Sequence, residues 1–294
     1  MVNILVTVII PCYNASAFLQ KTIDSVLSQK NKISKIIAVD DGSTDGTLDI
    51  LKQYGDKILI LHHDGNINKG QASSLNLGLQ YAESEYVALV DADDLWNEEK
   101  ISVQVDALQN NPDCVLCYVN GYVIDETDRR LYPILPEGFQ ETNTVGNILL
   151  DCYIRTPSMV MVRRSLFDQV GGFSESYSAP DHDMWVRASE VGKFCYVDQH
   201  LVGYRQHSGQ LSINYARKMW ENGFTVLQDA SKRYPYPDKL KRKRKSVLYF
   251  RIAQCAFRER KFLHSVYNLM CSFIFDPHRS IKFLAILCSR TIRR

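Results

Sequence analysis

Tyr86-Val-Ala-Leu-Val-Asp-Ala-Asp-Asp94 decides the reading of this chain. Five residues fit a buried strand, and the run then empties into three carboxylates. Side chains alternate faces along a strand, so Asp91 and Asp93 at i and i+2 point the same way. Two carboxylates side by side at a strand tip suit a hard divalent cation whose remaining positions stay open to diphosphate oxygens. The simpler alternative is an acidic turn capping a following helix, where Asp is favoured for that role alone.

Working outward, buried strands followed by amphipathic helices recur through the first hundred residues, the pattern of a mostly parallel sheet with crossover helices. Strands are predicted at 6–10, 36–39, 58–61 and 86–90. Ser16 is a candidate cap for a helix whose apolar positions Leu19, Ile23, Val26 and Leu27 share a face. The second strand runs into Asp40-Asp-Gly-Ser-Thr-Asp-Gly-Thr47, and another helix begins at Leu48. In open α/β sheets ligands bind beyond the carboxyl ends of the strands, so these polar loops would meet around a ligand. After residue 110 the alternation weakens: a strand is predicted at 115–119, a loop at 132–140, a turn at Gly171-Gly-Phe173 and a helix at 183–191.

The 294 residues, 45% of them hydrophobic, suffice for one α/β core and a helical appendage. The net charge of +2 hides a division. Residues 215–294 hold 19 Lys+Arg against 5 Asp+Glu, a net of +14, which leaves residues 1–214 at −12. An acidic front part repels nucleic acid, whereas the basic rear part is drawn to anionic surfaces. The apolar start lacks a basic leader and reaches Pro11 too early to span a bilayer, which predicts a first buried strand in a cytoplasmic protein. Eight scattered cysteines, with Cys114-Val-Leu-Cys117 unmatched by a second such pair, read as reduced thiols without a zinc site.

Seven segments, in order across residues 8–209, resemble glycosyltransferase family 2 of GT-A fold. They are Val8-Ile-Ile-Pro-Cys-Tyr-Asn14, Val39-Asp-Asp-Gly-Ser-Thr-Asp-Gly-Thr47, Asn68-Lys-Gly-Gln-Ala72 with Asn76 and Gly78, Asp91-Ala-Asp-Asp-Leu-Trp96 with Lys100, Val170-Gly-Gly-Phe173, Asp181-His-Asp-Met-Trp-Val-Arg187, and Tyr204-Arg-Gln-His-Ser-Gly209. The resemblance implies a GT-A catalytic domain over 1–214, an α/β fold with a mostly parallel sheet flanked by helices, followed by a basic helical region over 215–294. It implies inverting, metal-dependent transfer of a hexosyl-type sugar from a nucleotide donor, a UDP-sugar foremost, to a hydroxyl of a glycan or lipid-linked acceptor in surface polysaccharide or glycolipid assembly.

Residue by residue, the resemblance makes Asp181 the catalytic base, with Asp183 as its competitor. Pro11, Tyr13, Asp41, Lys69, Gln71 and Asp91 would bind the donor, Asp41 at the nucleoside and Asp91 near the ribose. Asp93 and His207 would hold Mg²⁺ or Mn²⁺, and Asp94 would support them. Trp96 and Trp185 read as core or wall residues. The chain departs from the family's pattern at Pro180, where Glu commonly precedes the base, and at Leu75, where many members carry Arg toward the donor. Those departures keep open a catalytically inactive sugar-nucleotide or membrane-tethered binding module. Rival acid motifs fit poorly, since Leu95 stands where a haloacid-dehalogenase phosphatase needs Thr and where a calcium loop needs Asp or Asn.

The run Lys239-Leu-Lys-Arg-Lys-Arg-Lys245 and the apolar stretches 262–275 and 281–288 read as helical, each shorter than the ~20 residues of a membrane span. Such a tail either lies on an anionic membrane, placing the protein peripherally on the cytoplasmic face, or packs as a solvated cap. No nucleic-acid partner is expected, because the acidic part shows no basic and aromatic groove.

Overall fold

The computed structural model describes residues 6–30, 33–177, 179–210 and 215–278. The chain divides into two compact units, one drawn from Met1–Asn143, Tyr153–Ser176 and Pro180–His207, the other from Thr144–Cys152, Tyr177–Ala179 and Ser208–Arg294.

In the first unit the chain begins with β1 (Val6–Cys12), α1 (Leu19–Leu27), β2 (Lys35–Asp40), α2 (Thr47–Lys52), β3 (Leu59–His62), α3 (Gln71–Gln80) and β4 (Tyr86–Leu89). These strands pair in parallel in the order β3-β2-β1-β4. The short β5 (Leu95–Trp96), α4 (Lys100–Asn110), the long β6 (Cys114–Ile124) and the edge strand β7 (Arg130–Pro133) follow. After α5 (Asn147–Leu150), which belongs to the other unit, come β8 (Val160–Arg163), α6 (Ser165–Val170), α7 (Pro180–Val191) and β9 (Lys193–Arg205). The nine strands make one mixed sheet, continuing β4-β8-β6-β9-β5 with β7 on β6. β1 and β4 are buried almost throughout, as near-continuous apolar strands covered on both faces must be.

Three local expectations are corrected. The first strand does not stop at Ile10 but runs through Pro11 to Cys12. Its ladder to β4 ends at Ile9–Leu89, and Pro11 faces that vacated side, so no neighbour requires the N–H that proline lacks. Ser16 does not cap α1; the helix begins at Leu19, while the Ser16 amide donates to Asp45 Oδ2 at 3.1 Å and ties two loops together. Part of the predicted loop 132–140 is strand, because Tyr132 and Pro133 complete the exposed edge β7.

Two close approaches hold the frame. A Cβ on Gly78 would meet Ile9 Cγ2 at 2.6 Å, so glycine lets α3 lie directly on β1. A Cβ on Gly121 would meet the Val202 carbonyl oxygen at 2.2 Å, where the β6–β9 register shifts.

The second unit contains α5, α8 (Ala216–Arg233), α9 (Asp238–Arg258) and α10 (Phe262–Phe275). α9 packs on each of the other three. The basic run is not wholly solvated, since Arg244 is buried and donates from Nη1 to the Leu150 carbonyl at 3.1 Å. No helix of the described residues is long and apolar enough to cross a membrane. The predicted stretch 281–288 lies outside the described residues.

Gly78→Ala is expected to cost about 1–3 kcal/mol through overpacking against Ile9. Urea denaturation monitored by circular dichroism should show the midpoint fall with the slope unchanged.

Candidate active site

The acidic tip is assembled from the ends of β4 and β9, the start of α3 and the turn at 156–158. At the end of β4 the Asp91 amide donates to Ser158 Oγ at 2.9 Å; Asp91 Oδ1 accepts from Gln71 Nε2 at 2.8 Å and Oδ2 from Thr156 Oγ1 at 2.9 Å. Asp94 is fully buried. Its Oδ1 accepts from the Arg205 amide at 2.9 Å, and its Oδ2 lies 2.8 Å from the same Thr156 hydroxyl. Burial, then the neighbouring Asp93 charge, pushes Asp91 up to about 7 and Asp94 well above the usual carboxylate range.

One hydroxyl proton cannot serve two carboxylates. All partners are satisfied when Asp94 keeps its own proton and donates to Thr156, Thr156 donates to Asp91, and the Ser158 amide donates to Thr156 Oγ1 at 3.1 Å. Both acids are pushed toward the protonated form, and Asp94, with the lower exposure, holds its proton the more strongly.

The pairing of β5 with β9 aligns Leu95 with Gly203, so the residues just before β5 face those at the end of β9. Buried Arg205 takes the Asp93 carbonyl through Nε at 2.7 Å and the Asp125 carbonyl through Nη1 at 2.9 Å, and ion-pairs with Asp128 at 2.6 Å. Phe18 lies under both the Arg205 guanidinium, at 4.6 Å, and the His207 ring, at 4.9 Å. So held, His207 Nε2 lies 2.9 Å from Asp93 Oδ2, with both side chains partly open to solvent. A carboxylate and an imidazole together fit Mn²⁺, or Mg²⁺ with a less usual nitrogen ligand. Among the described residues no group of three or more His, Cys, Asp or Glu is placed to hold a metal. An ion at Asp93 and His207 would therefore complete its shell with water and phosphate oxygens.

Asp41 is buried at the end of β2, and both its oxygens are engaged. They accept from the amides of Lys69, at 2.7 Å, and Gly70, at 2.8 Å, with His63 Nε2 at 3.4 Å. Asp41 therefore anchors the turn that starts α3 and aims Gln71 at Asp91, while Oδ2, which takes only the Gly70 amide, keeps a further lone pair. Gly42, at φ +71°, permits this approach, since a Cβ there would meet the Asn66 carbonyl oxygen at 2.7 Å. Pro11 is half-buried, and Tyr13 and the Lys69 side chain are exposed at the same edge. Lys69 also borders a cavity of 270 Å³ lined by His62, His63 and Ser73.

Asp181 occupies the first turn of α7, opened by Pro180, a position where proline's fixed φ and missing N–H cost nothing. Burial raises its pKa, partly offset by the His182 amide and its own, and its charge contributes to raising Asp91. Asp183 is committed elsewhere. It accepts from Arg187 Nε at 2.8 Å, and that guanidinium clamps the Val170 and Gly172 carbonyls at 2.5 and 2.9 Å. From the other side Asn76 brackets Phe173, accepting from its amide at 2.7 Å and donating to its carbonyl at 2.8 Å.

Residues 7–171 match the family described as Glycosyl transferase family 2. The chain belongs to glycosyltransferase family 2. An uncharacterized glycosyltransferase of Rickettsia typhi is 31% identical over 217 residues, 70% of this chain and 65% of that protein. TuaG of Bacillus subtilis, whose name provisionally assigns a teichuronic acid biosynthesis glycosyltransferase, is 30% identical over 226 residues, 74% of this chain and 86% of TuaG. The chain spans less than two thirds of the Rickettsia relative, and of a Rickettsia felis relative only 35%. Among solved structures, the 1-349 fragment of S. aureus TarS in complex with UDP-GlcNAc has a TM-score of 0.67 at 18% identity, covering 94% of this chain and 83% of that fragment. The mannosyltransferase PcManGT of Pyrobaculum calidifontis, in complex with GDP-Man and Mn²⁺, has a TM-score of 0.64 at 17% identity, covering 98% of this chain and 80% of its own. The likeness establishes the GT-A fold.

Within the family 2 fold, the contacts of the acidic tip include residues that the motifs alone did not single out, Thr156, Ser158 and Phe18. Thr156-Pro-Ser158 carries the signal of a capped turn, and Thr156 does accept from the Ser158 amide. Its place between two acids has no linear signature. Trp185 and Trp96 are buried, the latter donating from Nε1 to the Ser158 carbonyl at 2.9 Å.

Thr156→Val should lower stability by about 1–3 kcal/mol by stranding a buried acid, and Thr156→Ser should restore it; chemical denaturation of the three proteins checks this. Asp94→Asn reproduces the neutral acid. Wild-type Asp94 has a folded pKa above its unfolded one, so its contribution is complete below the unfolded value and lost as pH rises toward the folded one. Asp94→Asn should therefore gain stability relative to wild type between pH 5 and pH 8, read as the difference in melting temperature without added metal.

Proposed function

We propose that this family 2 member is an inverting glycosyltransferase that moves a hexosyl-type sugar from a nucleotide donor to an acceptor hydroxyl in surface polysaccharide or glycolipid assembly. The observation that carries the reading is the electrostatic proximity of Asp181 to the Asp91–Asp93–His207 tip, which couples a candidate base to a candidate diphosphate site. The relatives' names support the activity class. UDP-GlcNAc and GDP-Man in the two structural neighbours support a nucleotide-sugar donor, and we place UDP-sugars first.

In this reading Asp181 removes the acceptor's proton as the hydroxyl attacks. Burial raises its proton affinity and so strengthens it as a base. A single carboxylate suffices, because inversion is one displacement. Asp91, aimed by Gln71 and Thr156, accepts from the ribose; Pro11 and Tyr13 line the base, Asp41 recognises the nucleoside, and Lys69 reaches a phosphate. Asp93 and His207 would hold Mg²⁺ or Mn²⁺, which when bound neutralises charge on the departing diphosphate. Residues 1–214 carry the transfer. The basic region 215–294 faces an anionic membrane surface, where a glycan or lipid-linked acceptor would be presented on the cytoplasmic side.

Asp181→Asn should lower kcat by about 10²–10⁴-fold and leave nucleotide affinity unchanged. Stopped assays with radiolabelled donor, beside a thermal-shift series of UDP, GDP, dTDP and CDP with and without Mn²⁺, test both halves. Full turnover by the variant would remove Asp181 from the mechanism. Binding without turnover of any donor by wild type would leave a silent binding module.

A further inference from the structure

α10 is built inside out. Its buried residues are polar: Ser265, Asn268 and Ser272. Ser265 Oγ donates to the Ala253 carbonyl at 2.9 Å, while Ser246 Oγ donates to the Ser272 carbonyl and Ser272 Oγ to the Ser246 carbonyl, both at 3.0 Å. These small side chains let α9 and α10 pack closely through hydroxyl-to-backbone bonds, a mode suited to helices that gain nothing from burying apolar surface between them. The apolar residues point the other way. Leu263, Val266, Tyr267, Met270 and Ile274 follow helical spacing along one outer face, with Leu263 91% and Ile274 67% exposed.

Cations outnumber acids around that stripe, where Glu259 precedes the helix and Asp276 ends it. α10 itself carries no acid. Arg258, Arg260 and Lys261 are exposed at its start, where Glu259 is already paired with Arg217 and Lys261. At the other end Lys245 Nζ lies 5.4 Å over the Phe275 ring. A second copy of a region with net charge +14 would repel this surface, whereas anionic lipid headgroups answer the cations and the acyl boundary answers the stripe. At 14 residues, about 21 Å, the helix is too short to span a bilayer.

We infer that α10 lies in the plane of an anionic bilayer, its outer stripe inserted at the headgroup–acyl boundary and the cations of α9 and the α9–α10 turn against lipid phosphates. This rests on the membrane-facing reading of the basic region and adds the element that inserts. The test is co-sedimentation of the full chain with phosphatidylcholine vesicles, with and without 30% phosphatidylglycerol. Binding only to the anionic vesicles, weakened by salt and reduced at least tenfold in a Leu263→Asn/Met270→Asn/Ile274→Asn variant, is the expected result. Tyr267→Trp fluorescence should shift to the blue on the same vesicles and be quenched by brominated acyl chains. Anionic-vesicle binding that the triple variant leaves intact would overturn the inference, as would an unshifted tryptophan. A wild-type dimer broken by the triple variant in sedimentation equilibrium, with no vesicle binding, would instead assign the stripe to a second copy. Nucleotide-induced thermal shift in the same variant reads the donor site separately, so failure at the membrane and failure of the transferase reading are told apart.

Discussion

A single hydroxyl proton, that of Thr156, lies between the carboxyl groups of half-buried Asp91 and fully buried Asp94, and the chemistry of the acidic tip follows from how that proton is shared. Asp91, Asp93 and Asp94 crowd one strand end, where three charges in low dielectric would repel strongly. The chain meets this by dividing the acids. Asp94 is withdrawn from solvent and pushed toward its neutral form, Asp91 is held by Gln71 and Thr156, and Asp93 is turned outward beside His207. Three consecutive-looking acids thereby acquire three different environments.

The rest of the first unit keeps that division in place. Asp41 is bound to the turn that launches α3, so the end of strand β2 is tied to the helix that supplies Gln71. Asn76 on α3 and Arg187 on α7 grip the Gly171-Gly-Phe173 turn from opposite sides, which locates the helix bearing Asp181. Asp183 is consumed in that grip. Of two acids two residues apart, Asp183 is bound to Arg187 and Asp181 lies near enough to Asp91 to raise its pKa, and only packing distinguishes them.

Much of this was legible in the residues. The parallel strands, the loops at their carboxyl ends and the acid-rich tip follow from apolar runs interrupted by Asp and Gly, because a buried strand tolerates few other compositions. The mixed half was not. β8 is four residues long, β9 alternates weakly, and their pairing partners are far away in the chain, so no local pattern announces them. The end of β1 was misplaced for a similar reason, since Pro11 is acceptable only because β4 stops short of it.

Local patterning by itself determined the kinds of element, the acids at the strand tips and the charge division between residues 1–214 and 215–294, because periodicity and composition act over a few neighbouring residues. Only the tertiary structure decided which acid keeps a proton, which acid braces a turn and which face of α10 meets solvent. Those outcomes depend on burial and on partners contributed from distant strands and helices: Thr156 for Asp94, Arg187 for Asp183 through the turn it holds, and Ser246 for Ser272. A carboxylate's charge state and a helix's outer face are properties of surroundings, and the surroundings exist only once the chain has folded.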